Sequence, residues 1–473
     1  MERKNRKRIV ILIFIIILLL SLGLRFFHVY KGRLWADEIE VIHYSVNLMP
    51  IIQYYSELRH PPLYFLVLHQ WTGLFGIEQK DVKLLSVIFG TASILFIYLI
   101  SRKMFGDNAG LISAALLSVS TFHIFYSQEV KNYSFVCLLA LISFYYYLEL
   151  LEYKNRKNKV LYVISSILLT FSHVFGYLMI IIQNIHYLIL NKKFDKEWII
   201  TQVILFVSFI PIIALWIRDF IRYYIHNLPL GKWMQNPTFL GSSQFSLYNV
   251  FEKIAGNGYL LAFFAFLIII FLVKNRLNKE IKTRNNIMLL LLWFLFPILT
   301  LFLYSLFLGP FFILRFFLFC APAFYILLSV SMLNSFKNKF VISLVLGLLF
   351  IFLIFNSITF DHNKIIYEEW DKASKFIIKN ANDYDLIIVQ NEIPFSYYYS
   401  RKCFLSDNVI GCLRNKGIYS TYYLDYLRNE SKIKQNHIWF ISNMATCKEN
   451  KINISERLKM SKNFGGVNVC YYD

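Results

Sequence analysis

The sequence carries acids, imidazoles and cations at the ends of long apolar segments, and these are the residues best suited to chemistry. They are Asp37, Glu38, His60, Lys83, Glu129, Lys131, His173 and Arg315. Side chains of these types take up protons during a reaction or stabilise developing negative charge. Ionisable groups near hydrocarbon are costly unless they are paired or hydrated, so their presence there indicates a functional site.

The first of these residues lie in Trp35–Trp71, which the sequence predicts to contain two short helices. A helix beginning at Ala36 places apolar residues on one side and Asp37 and Glu40 on the other. That pattern is typical of a helix in the membrane interface, with its acids turned away from lipid. Glu38 is rotated by ~100° from Asp37 on such a helix, so Asp37 is the preferred candidate of the two.

A second helix is predicted to begin at Pro61-Pro62, because proline is tolerated in a first helical turn, where its missing amide hydrogen is not needed. It runs from Leu63 to Gly76, and these 14 residues at ~1.5 Å each span roughly 21 Å. The hydrocarbon core of a bilayer is ~30 Å thick. The sequence therefore predicts an interfacial or re-entrant helix here and not a spanning one.

The composition is typical of a polytopic membrane protein. Of the 473 residues 57% are hydrophobic and 18% aromatic, more than a soluble protein with a large core carries. The chain has 49 Lys and Arg against 29 Asp and Glu. A nucleic-acid partner would need these cations on one soluble face, whereas here they occur in short clusters between apolar runs. The basic clusters are predicted to be cytoplasmic loops, and no nucleic-acid partner is expected.

The basic residues also predict the orientation of the chain. Five of them precede Ile9–Leu24, which we interpret as a retained anchor that starts on the cytoplasmic side. Ten further spans are predicted near residues 84–100, 109–125, 134–151, 160–171, 175–190, 198–217, a segment ending at 274, 287–308, 312–333 and 340–358. All basic clusters then fall on the cytoplasmic side, provided that the Leu63–Gly76 helix does not cross. We expect a multi-pass cell-membrane protein of about eleven spans with its N-terminus in the cytoplasm.

The C-terminal residues 359–473 form a different kind of sequence, which predicts a second domain after the membrane domain of residues 1–358. Apolar runs at Leu386–Val389, His437–Ile441 and Val467–Tyr471 indicate strands, and a helical pattern precedes them. A small α/β domain on the outer face is the expected fold. Its cysteines are Cys403, Cys412, Cys447 and Cys470, which allow three pairings between which the sequence does not choose.

Several short motifs occur in an order that resembles a known superfamily. They are Asp37-Glu38 after the first span, His-Pro-Pro-Leu at 60–63, Ser-Gln-Glu-x-x-x-Tyr at 127–133, His173 at an outer turn and Leu-Arg-Phe-Phe-x-x-x-x-Pro at 314–322. Together they resemble the GT-C integral-membrane glycosyltransferases, on the branch of the protein O-mannosyltransferases and the bacterial aminoarabinose transferase for lipid A. The resemblance covers roughly Ile9 to Leu333, and Phe316 stands where relatives often carry tyrosine.

The resemblance implies transfer of a sugar, with inversion, from a polyprenyl-phosphate carrier to an acceptor hydroxyl on the outer face. Asp37 matches the family's general base, and Glu129 would orient the acceptor or hold a metal. Arg315 matches a late-span arginine for the phosphate. The weaker candidates for substrate contact are Glu38, His60, Lys83, Lys131 and His173. Superfamily members differ in metal dependence, so a divalent metal stays open and no other cofactor is expected.

Other interpretations of the same residues exist. Asp37 and Glu38 could be the solvated side of an interfacial helix, His173 a buried structural histidine, and Arg315 a cation reaching towards lipid headgroups. A transporter or lipid flippase is the alternative function. It would need charged or Gly/Pro-broken segments at mid-bilayer and an internal repeat, whereas here the mid-span polar content is low and no repeat is visible. The sequence does not identify the sugar, which could be a hexose or a pentose. It does not identify the acceptor either, which could be a glycan, a lipid or a protein.

Overall fold

The computed structural model describes residues 2–29, 33–46, 61–226, 236–240, 243, 245–276, 281–308, 311–335, 339–359, 368–421, 437–443, 447 and 457–473. The chain divides into two compact units. Of the described residues, the first unit comprises 2–29, 61–64 and the described parts of 83–359; the second comprises 33–46, 65–82 and the described parts of 368–473. The second unit thus joins the C-terminal residues to two segments from the first predicted outer loop.

Helices make up most of the described chain. In chain order they are α1 (Glu2–Val29), α2 (Ala36–Val46), α3 (Leu63–Phe75), α4 (Gln79–Phe105), α5 (Asp107–Ser118), α6 (Thr121–Tyr126), α7 (Tyr133–Tyr153), α8 (Arg156–Thr170), α9 (Gly176–Asn191), α10 (Lys196–His226), α11 (Leu247–Ala255), α12 (Gly258–Arg276), α13 (Ile281–Phe307), α14 (Ala321–Ser335), α15 (Lys339–Thr359), α16 (Trp370–Asn380), α17 (Glu392–Tyr399), α18 (Arg401–Phe404) and α19 (Val409–Arg414), with a 3₁₀ helix at Leu314–Cys320.

The predicted multi-pass helical architecture is confirmed. Within the described residues, six helical segments are long and apolar enough to cross a membrane, namely Lys4–Phe27, Gln79–Phe105, Tyr133–Tyr153, Lys196–Ala214, Ile281–Phe307 and Leu314–Ser335. The pair α11 and α12, bent by 84°, would make a seventh. All eleven segments predicted as spans overlap helices, and the segment near 109–125 covers two short ones, α5 and α6. Several of those helices, such as α8 with 15 residues and α9 with 16, are shorter than the ~20 residues that a perpendicular span needs.

The helix α3 has 13 residues, as the short-helix prediction required. At ~1.5 Å per residue it measures about 20 Å, which is less than the thickness of the hydrocarbon core. Its first residues belong to the first unit, where the Leu63 amide donates to the Phe171 carbonyl at 3.0 Å. This bond joins the start of α3 to the turn between α8 and α9.

A buried aromatic contact holds the 3₁₀ helix that carries Arg315. The rings of Phe144 and Trp293 stack with their centroids 3.8 Å apart and their planes 8° apart. The indole Nε1 of Trp293 also donates to the Phe319 carbonyl at 2.8 Å. Trp293 of α13 therefore fixes the backbone of the segment Leu314–Cys320, and Phe144 of α7 packs against its indole ring.

The second unit contains the predicted sheet domain. Its sheet, counted over the described residues, has five strands: β1 (Leu386–Val389), β2 (Ile418–Ser420), β3 (Ile438–Ser442), β4 (Leu458–Phe464) and β5 (Val467–Tyr472). Their order is β2-β1-β3-β5-β4; β1 is parallel to β2 and β3, and β5 is antiparallel to β3 and β4. The predicted strands are thus confirmed, and β2 and β4 are additional.

One face of this sheet packs on the helix α16. Trp370, Ala373 and Ile377 of that helix are buried in a core that also contains Val389 and Ile441 from the central strands. Disulfide bonds join Cys403 to Cys412 and Cys447 to Cys470. The structure thus chooses one of the three pairings that the sequence left open.

Candidate active site

The helix α2 presents its two acids differently. Glu38 is fully buried, and its Oε2 accepts a hydrogen bond from the Trp35 amide at 3.2 Å. A carboxylate in the first turn that reaches back to the amide preceding the helix forms half of a capping box, so Glu38 stabilises the helix start. Asp37 is only half-buried. Of the pair, Asp37 is the more exposed carboxylate.

Glu129 lies in the first unit, in the Ser127-Gln128-Glu129 turn that follows α6. It is 5% exposed, and its backbone carbonyl accepts a hydrogen bond from Ser86 Oγ at 2.6 Å. The adjacent Gln128 donates through Nε2 to the Arg25 carbonyl at 2.6 Å. The Arg25 carbonyl of α1 and the Ser86 hydroxyl of α4 therefore hold this turn, so the position of Glu129 depends on residues distant in sequence.

A fully buried arginine lies beside that turn. The guanidinium of Arg25 donates to the carbonyl and hydroxyl of Ser21 at 3.0 and 2.6 Å and to the Ser118 carbonyl at 3.2 Å, and it lies 2.6 Å from His123 Nδ1. Next to it, a Cβ added at Gly90 would lie 2.1 Å from Ser127 Oγ. Sequence reasoning did not select Arg25 or His123, although an arginine directly after the first predicted apolar run was a signal for a costly buried charge.

Arg315 and His173 line the same cleft in the first unit. Its walls also include Tyr133, Val136 and Phe316. The guanidinium carbon of Arg315 lies 6.0 Å from the centroid of the Phe316 ring. The centroid of the His173 ring lies 5.5 Å from the same Phe316 centroid. The cleft therefore combines a cation and an imidazole with aromatic walls, a combination that suits an anionic group attached to an apolar chain.

The turn that carries His173 is fixed by its neighbours. The His173 Nδ1 accepts a hydrogen bond from the Phe175 amide at 3.1 Å. Asn132 Nδ2 donates to the Ser172 carbonyl at 2.8 Å, and this asparagine follows Lys131 directly. The segment that contains Glu129 and Lys131 is therefore tied to the turn that contains His173.

The phenol of Tyr126 interacts electrostatically with both Glu129 and Arg315. Its ring centroid lies 5.3 Å from that of Tyr133, which lines the cleft. Burial raises the pKa of Tyr126 well above its ordinary value, and the nearby Glu129 and Tyr133 raise it further. Arg315 lowers this pKa. Since Glu129 and Arg315 both act on this phenol, they lie in the same part of the first unit.

The remaining predicted residues have different positions. Lys83 is 3% exposed and lies on α4, one helical turn before Ser86, the residue that contacts the Glu129 carbonyl. Lys131 is half-buried. His60 lies outside the described residues. Among the described residues, no group of three His, Cys, Asp or Glu side chains could hold a metal ion.

Asp37 and Glu38 belong to the second unit, whereas Lys83, Glu129, Lys131, His173 and Arg315 belong to the first. The structure therefore brings five of the predicted residues into one compact unit, and two of these line one cleft. The roles of all these residues in catalysis or binding stay predictions.

Comparison with solved structures identifies the fold. The chain is similar to ArnT from Cupriavidus metallidurans bound to undecaprenyl phosphate, with a TM-score of 0.61 and 11% identity over 99% of this chain and 98% of that one. It is also similar to the oligosaccharyltransferase AglB from Archaeoglobus fulgidus in complex with an inhibitory peptide and a dolichol-phosphate, with a TM-score of 0.56 and 11% identity over 98% and 74%. The chain thus has the GT-C fold of integral-membrane glycosyltransferases.

A narrower likeness comes from the sequence itself. The family model for dolichyl-phosphate-mannose-protein mannosyltransferases matches residues 59–216. This range contains the Ser127-Gln128-Glu129 turn and His173. No curated protein matches the chain. The resemblance inferred from the ordered motifs is therefore confirmed at the level of the superfamily.

Proposed function

We propose that this protein is an inverting glycosyltransferase that moves a sugar from a polyprenyl-phosphate carrier to an acceptor hydroxyl on the outer face of the cell membrane. The observation that carries the proposal is the cleft lined by Arg315 and His173 in a chain with the GT-C fold. One solved structure of that fold is bound to undecaprenyl phosphate. A cationic cleft among apolar side chains has the chemistry to hold the phosphate of such a lipid.

In this proposal Arg315 binds the phosphate and stabilises it as it leaves. The bond from the sugar C1 to the phosphate oxygen breaks, and its electron pair stays on the phosphate, which gains negative charge. A fixed cation in a water-poor site stabilises such charge by several kcal/mol. His173 forms part of the cleft wall. Lys83, Lys131 and His60 are weaker candidates for contact with the phosphate or the donor.

Asp37 acts as the general base. As the acceptor oxygen bonds to C1 from the opposite side to the leaving phosphate, its proton passes to the Asp37 carboxylate, and the configuration at C1 is inverted. Asp37 suits this role better than Glu38 does, because the latter is buried and caps its own helix. Glu129, buried in its turn, would orient the acceptor or hold a divalent metal.

The orientation in the membrane supports the same scheme. The positive-inside rule applied to the basic clusters predicts a cytoplasmic N-terminus and an outer C-terminal domain. The disulfide bonds of that domain are those expected in an oxidising compartment outside the cytoplasm. Donor carriers, acceptors and the lipid bilayer are the partners that this arrangement requires.

A transfer assay with purified protein tests the proposal. Radiolabelled polyprenyl-phosphate hexoses and pentoses are offered with lipid, glycan and peptide acceptors, in the presence and absence of a divalent-metal chelator. We expect labelled acceptor with one donor class, and loss of labelling in Asp37→Asn. Glu40→Gln, which removes an acid from the same helix, is the matched control and should keep activity. Undiminished transfer by Asp37→Asn would exclude Asp37 as the base.

A further inference from the structure

The start of the helix α2 is held by a residue from the far end of the chain. The Ala36 amide in its first turn donates to Glu368 Oε2 at 2.9 Å. The first amides of a helix have no partner within the helix, so an acceptor placed there fixes the position of the helix end. Ala36 directly precedes Asp37. Whatever fixes its backbone therefore also fixes the direction in which the Asp37 side chain leaves the helix.

The Glu368 carboxylate is itself held firmly. Its Oε2 also accepts from the indole Nε1 of Trp370 at 3.1 Å, and its Oε1 accepts from Asn443 Nδ2 at 2.9 Å. Trp370 is fully buried in the core of the sheet domain, and Asn443 directly follows β3. Both oxygens are thus oriented by residues of the sheet domain. Glu368 transmits the position of that domain to the first turn of α2.

Other residues of the same domain contact α2 and the residues just before it. Arg33 forms ion pairs with Glu369 and, at 3.5 Å, with Asp371. His43, in the last turn of α2, forms a 2.8 Å hydrogen bond through Nδ1 with the Phe404 carbonyl. The helix is therefore held near both of its ends, and all of these contacts lie within the second unit.

We propose that Glu368 is a positioning residue for Asp37 and that the C-terminal sheet domain acts as a brace that orients the helix α2. This inference rests on the proposed function, because it supposes that Asp37 is the base. Proton transfer requires the base within hydrogen-bonding reach of the acceptor, and a displacement of about 1 Å can lower the rate a hundredfold. Loss of the Glu368 contact frees the first helical turn, and with it the carboxylate of Asp37.

The physical part of the proposal is tested by hydrogen exchange on the full-length protein in lipid nanodiscs. In Glu368→Ala we expect the amides of peptides covering residues 33–46 to exchange about tenfold faster, the factor that corresponds to one lost hydrogen bond. Exchange in β3 should stay unchanged. Glu368→Gln keeps one acceptor oxygen and should restore most of the protection. Asp383→Ala, which removes an exposed acid from the same domain, is the control.

The functional part is tested with the radiolabelled donor that the wild-type protein turns over. Glu368→Ala should lower kcat at least tenfold and change KM for the donor less than twofold, and Glu368→Gln should recover activity. Unchanged exchange at residues 33–46 in Glu368→Ala overturns the brace. Faster exchange there with unchanged kcat overturns the positioning role. If amide exchange in β3 also becomes faster in Glu368→Ala, the comparison of Glu368→Gln with wild type decides. Wild-type protection at residues 33–46 together with wild-type kcat in Glu368→Gln supports the proposal. Recovery of only the protection or only kcat overturns it.

This design separates the brace from the proposed reaction. If the wild-type protein transfers no sugar from any donor, the proposed function fails, while the exchange measurements still decide whether Glu368 holds the helix. If transfer occurs but Asp37→Asn is active, Asp37 is not the base, and Glu368 is then expected to affect exchange only.

Discussion

Replacing Arg315 with glutamine tests the electrostatic basis of the proposed reaction. The side chain lies in a cleft with Tyr133, His173 and Phe316, partly shielded from water. Two unit charges ~4 Å apart at an effective dielectric constant of ~20 attract each other by about 4 kcal/mol. Phe316 has no hydroxyl that could share the contact with the phosphate. We therefore expect Arg315→Gln to lose most of this stabilisation of the leaving group.

A loss of about 4 kcal/mol corresponds to a roughly thousandfold decrease in kcat/KM. Arg315→Lys keeps the charge but not the planar pair of donors, so its loss should be smaller, about tenfold. The assay measures initial rates of transfer from the radiolabelled polyprenyl-phosphate donor, with protein folding checked by size-exclusion chromatography and thermal unfolding. Arg102→Gln is the matched control, because Arg102 is half-exposed and pairs with Asp107 at 2.7 Å.

The expected order of activities is wild type and Arg102→Gln, then Arg315→Lys, then Arg315→Gln. A folded Arg315→Gln protein with kcat/KM within threefold of wild type would refute the reasoning, since no cation stabilising a leaving phosphate could be dispensable to that extent. Equal losses in Arg315→Lys and Arg315→Gln would show that donor geometry matters and charge does not.

The other predictions concern the supports of the site. Gly90→Ala should destabilise the protein by about 1–3 kcal/mol and lower transfer, because its Cβ would lie 2.1 Å from Ser127 Oγ, whereas Gly73→Ala, with nothing within 4 Å, should do neither; thermal unfolding and the transfer assay compare them. Replacing both cysteines of the Cys403–Cys412 disulfide, nine residues apart, with serine should cost about 2–3 kcal/mol in urea unfolding, and an unchanged midpoint would contradict this. Burial lowers the pKa of His43 below 6.5, so below about that pH the unfolded chain binds more protons than the folded chain does. The second unit is therefore expected to lose stability on acidification. His43→Gln should flatten the pH dependence of the unfolding temperature.

The sequence predicted those parts of the fold that depend on local pattern. Apolar runs located helices under every predicted span, and the runs at Leu386–Val389 and Val467–Tyr471 identified inner strands of the sheet. The strand β4 (Leu458–Phe464) was missed because it lies at the sheet edge and its sequence, LKMSKNF, alternates poorly. β2 was missed because three residues are too few to show a period.

Local pattern also identified the charged residues of the candidate site. It did not identify the buried residues that hold them in place. Helical rotation predicted that Asp37 and Glu38 point in different directions, and the structure agrees, since Glu38 turns back to cap the helix. By contrast, the contact of Arg25 with His123 joins residues 98 apart, and His123 lies in a run that reads simply as an apolar segment. A buried polar contact of this kind depends on which helices pack together, and one sequence does not contain that information.

The same argument applies most strongly to Glu368. It lies 332 residues after Ala36, and nothing in its neighbourhood of charged residues distinguishes it from Glu369, which pairs with Arg33 and Lys372 instead. What makes it different is that both of its oxygens are held by Trp370 and Asn443. If Asp37 is the base, the residue that accepts the proton is encoded near the start of the chain and the residue that aims it near the end. The sheet domain then has a direct physical use, because the Ala36 amide in the first turn of α2 takes its acceptor from Glu368 of that domain.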